Sequence, residues 1–140
     1  MAYFFFGTLM DPDVLALVLG RRLADHDRLA AALDHHRTVR AAARAYPVLA
    51  PERGAVTRGR VLLRPSRRDD RRIAWFEEDE YAARWCRVRL TSGPSIRARV
   101  FFGLDALGRT EVPWEYGRWC REEKAGYLLR CAEWLRDLPP

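Results

Sequence analysis

The beginning of this chain constrains its fold most. Ala2-Tyr3-Phe4-Phe5-Phe6 is almost entirely aromatic and stops at Gly7-Thr8. The run does not alternate apolar with polar residues, so it predicts a strand buried on both faces. Gly7 breaks that strand, and Asp11-Pro12-Asp13 opens a helix. Asp11 suits the cap, Pro12 the first helical position, and Asp13 the positive end of the helix dipole. Val14, Leu15, Val18 and Leu19 supply one apolar face, and Gly20 suits the left-handed residue that ends a helix.

The remaining punctuation predicts a mixed order. Residues 23–50 are rich in Ala and Arg; short strands are expected near 28–33 and 37–41, with an extended piece over 45–49 ahead of and through Pro47. Glu52-Arg53-Gly54 reads as a turn and Val56 to Leu63 as a strand. Ser66, with Asp69 three residues on, caps a helix expected from Arg67 to Trp75. Tyr81 to Leu90 and Ser95 to Phe102 form a hairpin across Thr91-Ser92-Gly93-Pro94. Asp105 to Gly108 is another turn. Pro113 opens the last and longest helix, whose apolar spacing runs through Cys120, Tyr127, Leu128, Cys131, Trp134, Leu135 and Leu138, with a kink expected at Gly117 or Gly126. Strand, helix, short strands, helix, hairpin and long helix make an α+β chain.

With 140 residues, 49% of them hydrophobic and 31% charged, the chain is expected to form one domain over 1–140 with its own core. No apolar run is long enough to span a bilayer, and the aromatic N-terminus reads as a strand and not as a leader. Cys86, Cys120 and Cys131 show no spacing for a disulfide framework or a zinc ribbon, and are expected as free, non-catalytic thiols in a reducing cytoplasm. His26, His35 and His36 match no metal-site spacing, so neither metal nor cofactor is expected. The net charge is +6, and Lys124 is the single lysine among 25 basic residues. The arginines are scattered, with acids nearby, which argues against a nucleic-acid partner.

Two segments could carry chemistry. In Phe6-Gly7-Thr8-Leu9-Met10 a glycine stands where strand meets helix. A ligand can approach the backbone closely there, and the amides favour an anion such as a carboxylate. In Phe76-Glu77-Glu78-Asp79-Glu80-Tyr81 an acidic cluster is flanked by Trp75, Phe76 and Tyr81. Most such clusters are solvated loops. A carboxylate packed among aromatic rings, however, has a raised pKa and can serve as a base near neutrality. The five tryptophans are expected to be packing residues.

Taken together and in this order, Phe5-Phe6-Gly7-Thr8-Leu9-Met10-Asp11-Pro12 and Phe76-Glu77-Glu78-Asp79-Glu80-Tyr81 resemble the gamma-glutamylcyclotransferase-like (AIG2-like) family. Tyr46-Pro47 and the Pro113–Trp119 segment look like its bacterial members. The resemblance implies a small, partly closed mixed β-barrel flanked by helices, without cofactor. It also implies a gamma-glutamyl amine or peptide as substrate, cyclised to 5-oxoproline. It carries the acid/base role to Glu77, and substrate binding to Phe6, Gly7, Thr8, Leu9 and Tyr81. Phe6 stands where the family has a tyrosine, and Glu78 where it has a glycine. The alternatives are a non-catalytic small-molecule-binding member of the same fold and a basic nucleic-acid-associated protein.

Overall fold

The structure, a computed structural model, describes residues 1–77 and 79–140. Five strands close into a barrel: β1 (Ala2–Phe5), β2 (Arg28–Arg40), β3 (Pro47–Leu63), β4 (Tyr81–Leu90) and β5 (Ser95–Gly103), in the spatial order β1-β3-β2-β4-β5. Neighbours are antiparallel except β1 and β5, whose parallel pairing (Tyr3 opposite Arg99, Phe4 opposite Val100) completes the barrel. Helices α1 (Pro12–Leu19), α2 (Arg67–Glu77), α3 (Tyr116–Glu122) and α4 (Lys124–Trp134) flank it.

The aromatic first strand has the cover that its composition demands. Ala2, Phe4 and Phe6 point into the barrel with Leu33, Val61, Val88 and Val100. Tyr3 and Phe5 point outward into a second cluster with Leu15, Leu19, Ile73 and Trp119 from the helices. The barrel passes closely beside this strand. A Cβ on Gly59 of β3 would lie 2.2 Å from the Phe5 carbonyl oxygen, so only glycine fits that position.

The first two predicted helix starts form as the caps require. Asp11 accepts from the amides of Asp13 and Val14, each at 3.1 Å, and Gly20 closes α1 in the left-handed conformation. Ser66 and Asp69 cap α2 reciprocally, each side chain accepting from the other's amide at 3.0 Å.

Three sequence expectations need correction. The two short strands near 28–33 and 37–41 are one strand, β2, which continues through a bulge at His35 (φ 62°). The turn at Glu52-Arg53-Gly54 lies inside β3. There residues 52–55 bow out opposite His35 alone, and the Gly54 amide donates to His35 Nδ1 at 3.1 Å. The excess residues leave the ladder and the strand resumes, as bulges allow. The C-terminal helix does not open at Pro113, which instead bridges Val39; it starts at Tyr116 and breaks at Glu123, not at a glycine. On a straight helix Trp119 and Tyr127 would be displaced by about 12 Å along the axis. The break brings their rings to 5.5 Å in an edge-to-face contact, so both enter the core.

Candidate active site

A cavity of about 270 Å³ opens where β1 runs into the 3-10 turn Thr8–Met10. Phe6, Gly7, Thr8, Leu9, Glu77 and Tyr81 all line it. The structure therefore brings every sequence-predicted site residue to one place, from two segments far apart in the chain. Glu78 lies outside the described residues.

The turn is fixed by close packing. Met10 and Asp11 amides donate to the carbonyls of Gly7 and Thr8 at 3.1 and 3.0 Å. A Cβ on Gly7 would meet Pro47 Cγ at 2.6 Å, so the glycine lets the loop lie directly against that ring. Tyr81 donates its hydroxyl to the Pro47 carbonyl at 2.9 Å, which fixes the proline from behind. Its ring faces the cavity while its proton is committed to that bond. The Thr8 hydroxyl and the Tyr127 hydroxyl, 3.4 Å apart, connect the loop to α4. The first amides of a 3-10 turn have no partner within it, so they are the groups a ligand anion would meet.

Glu77 is the last residue of α2. Among the described residues no hydrogen bond or ion pair holds its carboxyl. It is half-buried and lines the cavity, so what surface it keeps opens there. Burial first, and the nearby charge of Glu80 second, push its pKa up to about 8. The negative end of the α2 dipole acts in the same direction. Trp75 and Phe76 beside it supply the aromatic surroundings that the sequence implied.

Sequence reasoning missed part of the wall. Tyr46 and Pro47 come from the start of β3 and the loop before it, Phe101 from β5, and Tyr127 and Trp134 from α4. Tyr127 looked like one more apolar helix residue, and nothing in its spacing sets it apart from Cys131. The tryptophans divide: Trp114 and Trp119 are core, Trp85 is on the outer surface, and Trp75 and Trp134 face the cavity. The expectation that all five serve packing is therefore corrected. The histidines disperse, His35 to the bulge and His36 to an edge contact with Phe102.

The model of the family described as gamma-glutamyl cyclotransferase, AIG2-like, matches residues 3–121. Two Arabidopsis thaliana proteins known from solution structures are similar. One is 18% identical, over 99% of this chain and 94% of that one, with a TM-score of 0.66. The other is 17% identical, over 98% and 86%, with a TM-score of 0.70. A structure described as a gamma-glutamyl cyclotransferase is 15% identical, over 99% and 88%, with a TM-score of 0.56. At such identities the likeness is one of fold. No curated protein sequence matches the chain significantly.

Proposed function

The chain belongs to the gamma-glutamyl cyclotransferase, AIG2-like, family and has its fold, and from that premise we propose that it is an enzyme. It cyclises the gamma-glutamyl group of a gamma-glutamyl amine or peptide to 5-oxoproline and releases the amine. Residues 1–140 act as one domain, in a reducing cytoplasm and without a cofactor, and Tyr46-Pro47 and the 113–119 segment favour a bacterial-type member. One observation carries the reading: the Glu77 carboxyl, which has no hydrogen-bond or ion-pair partner among the described residues, shares a cavity with the Gly7–Leu9 turn.

The substrate brings its own nucleophile. Its alpha-nitrogen attacks the gamma-carbonyl carbon, the new C–N bond closes a five-membered lactam, and the old C–N bond to the amine breaks. Intramolecular attack has a high effective concentration, so neither serine nor cysteine is needed. The alpha-ammonium gives up two protons and the departing nitrogen gains two. A single carboxyl can pass each in turn, as base and then as acid. Backbone amides of the Gly7–Leu9 turn hold the substrate's alpha-carboxylate or the oxyanion.

The elevated pKa of Glu77 suits this role, because a group that both takes and returns a proton works best near the ambient pH. In the free enzyme the charged form gains as pH rises toward about 8. An arriving alpha-ammonium favours that charged form further. The expected kcat/KM therefore climbs between pH 6 and 8 and levels above, and Glu77→Gln removes the climb together with the activity. Mass-spectrometric analysis of products from a panel of gamma-glutamyl compounds tests the reading directly. Release of 5-oxoproline supports it; a panel that binds and stays intact favours a non-catalytic member of the fold.

A further inference from the structure

Folding gathers arginines that the chain scatters. The hairpin of β4 and β5, residues 81–103, holds five arginines and no acid. Cys86, Val88, Ala98 and Val100 turn into the barrel, so strand alternation turns Trp85, Arg87, Arg89, Arg97 and Arg99 outward. The register sets Trp85 opposite Arg99, and Arg87 opposite Arg97. Arg58 of β3 stands in one row with Arg89, across Ala32 of β2. The helices cover the outside of the sheet at Tyr3, Phe5 and Leu62, and leave Arg58, Trp85, Arg87, Arg89 and Arg97 exposed.

The fold itself gains nothing from this arrangement. Like charges directly opposite one another on neighbouring strands repel, and Arg87 and Arg97 are such a pair. Among the described residues neither has an ion-pair partner, and nor does Arg58. Two acids answer the five guanidiniums of the face: Asp34, 2.8 Å from Arg89, and Asp70, 3.5 Å from Arg99. Trp85 stands among these charges, 47% exposed. The guanidinium carbons of Arg97 and Arg99 lie 5.2 and 5.5 Å from its ring centre, where cation and ring attract. The face therefore combines a surplus of positive charge with one aromatic ring held open to water.

We propose that this outer face of β4 and β5 binds single-stranded nucleic acid, its arginines taking phosphates while a base stacks on Trp85. The proposal is independent of the cavity, whose lining includes none of these residues. Charge and ring together choose the partner. An acidic peptide would use the arginines and leave the ring idle. A membrane surface calls for a band of apolar side chains, where here an indole stands among guanidiniums. A duplex keeps its bases stacked on one another, so only its phosphates would be met. A single strand offers both a backbone of phosphates and unstacked bases, and a basic surface with an aromatic platform suits it. Phosphates between Arg87 and Arg97 would also relieve their repulsion.

Fluorescence anisotropy of a labelled oligothymidine of about twelve nucleotides tests this. Binding is expected with a Kd of about 1–100 μM near physiological salt. The logarithm of the affinity should fall with that of salt at a slope of about −2, as for about three phosphates neutralised on a single strand. Trp85→Ala should weaken binding about tenfold, and Trp85→Phe should restore most of it. Arg87→Gln with Arg97→Gln should weaken binding and flatten the slope by about 1. That double variant should melt no lower than wild type, because it removes a repulsive pair. Arg53→Gln with Arg121→Gln removes the same charge from exposed sites elsewhere and should leave the affinity within about twofold. Equal losses in the two double variants overturn the proposal, because net charge alone then accounts for binding. Absence of binding overturns it, as does unchanged affinity in Trp85→Ala or equal affinity for a duplex of the same length. Binding to phosphatidylserine vesicles that depends on Trp85, with none to the oligonucleotide, overturns it in favour of a membrane.

Discussion

The two ends of α2 each carry a carboxylate, and they are opposites. At the N-terminal end Asp69 is buried, caps the helix with Ser66 and pairs with Arg21 at 2.6 Å. Burial alone would raise its pKa, but Arg21 and the Ser66 amide outweigh burial and hold it below the usual range. At the C-terminal end Glu77 has burial without a partner among the described residues, and its pKa goes the other way, to about 8. The helix dipole favours a negative charge at the first end and opposes it at the second. One helix thus shows what separates a structural acid from a chemical one: not burial, which both share, but whether the charged form is satisfied.

The largest effect expected from breaking this contrast is on turnover. Glu77→Gln keeps size and hydrogen bonding and removes proton transfer, so kcat should fall by about 10²–10⁴-fold while the chain still folds. Steady-state assays beside a circular-dichroism melt check this. Glu78→Gly should keep activity or raise it. Full activity in Glu77→Gln with loss in Glu78→Gly would move the base by one residue.

Asp69→Asn should do the converse. It keeps the shape and loses the charge-assisted bond to Arg21, which should cost about 1–3 kcal/mol of stability by urea unfolding. Activity per folded molecule should stay within about twofold of wild type. A large loss of kcat without loss of stability would mean that both ends of α2 serve the chemistry.

The pH dependence of stability should differ in sign between the two. Asp69 has a lowered folded pKa, so its contribution is present above the unfolded value and fades as pH falls through the folded one. The stability deficit of Asp69→Asn should therefore shrink in acid. Glu77 has a raised folded pKa, so the folded state loses stability as pH rises from about 4.5 toward 8. Glu77→Gln should accordingly melt with wild type at pH 4.5 and several degrees above it at pH 8.5. Equal melting temperatures at both pH values would mean that Glu77 ionises in the fold as freely as in water.

The smallest effect expected is from the thiols. Burial pushes Cys131 up to about 11 and raises Cys86 as well, which keeps both protonated and unreactive near neutrality. Mild alkylation of the folded chain should change turnover by less than about twofold. Abolished turnover in a chain that remains folded would assign a cysteine to the site and leave Glu77 with a lesser part.

Local chemistry determined much of this protein from its sequence. The all-aromatic β1 demanded cover on both faces, and it has the barrel interior on one side and the helices on the other. Asp11, Gly20, Ser66 and Asp69 marked helix ends because caps act over three or four residues. Glu77 stood out because its neighbours along the chain are aromatic. Tertiary structure decided whatever depends on partners distant in sequence. The bulge at His35 exists because residues 52–55 bow out opposite it, and neither segment alone announces it. The break at Glu123 follows from Trp119 and Tyr127 meeting in the core. The cavity itself is a product of closure, since it needs the end of β1, the end of α2 and the face of α4 at one point. The sequence could name the acid and the loop, each defined by its near neighbours. Only the closed barrel could show that Tyr127 and Trp134 stand beside them.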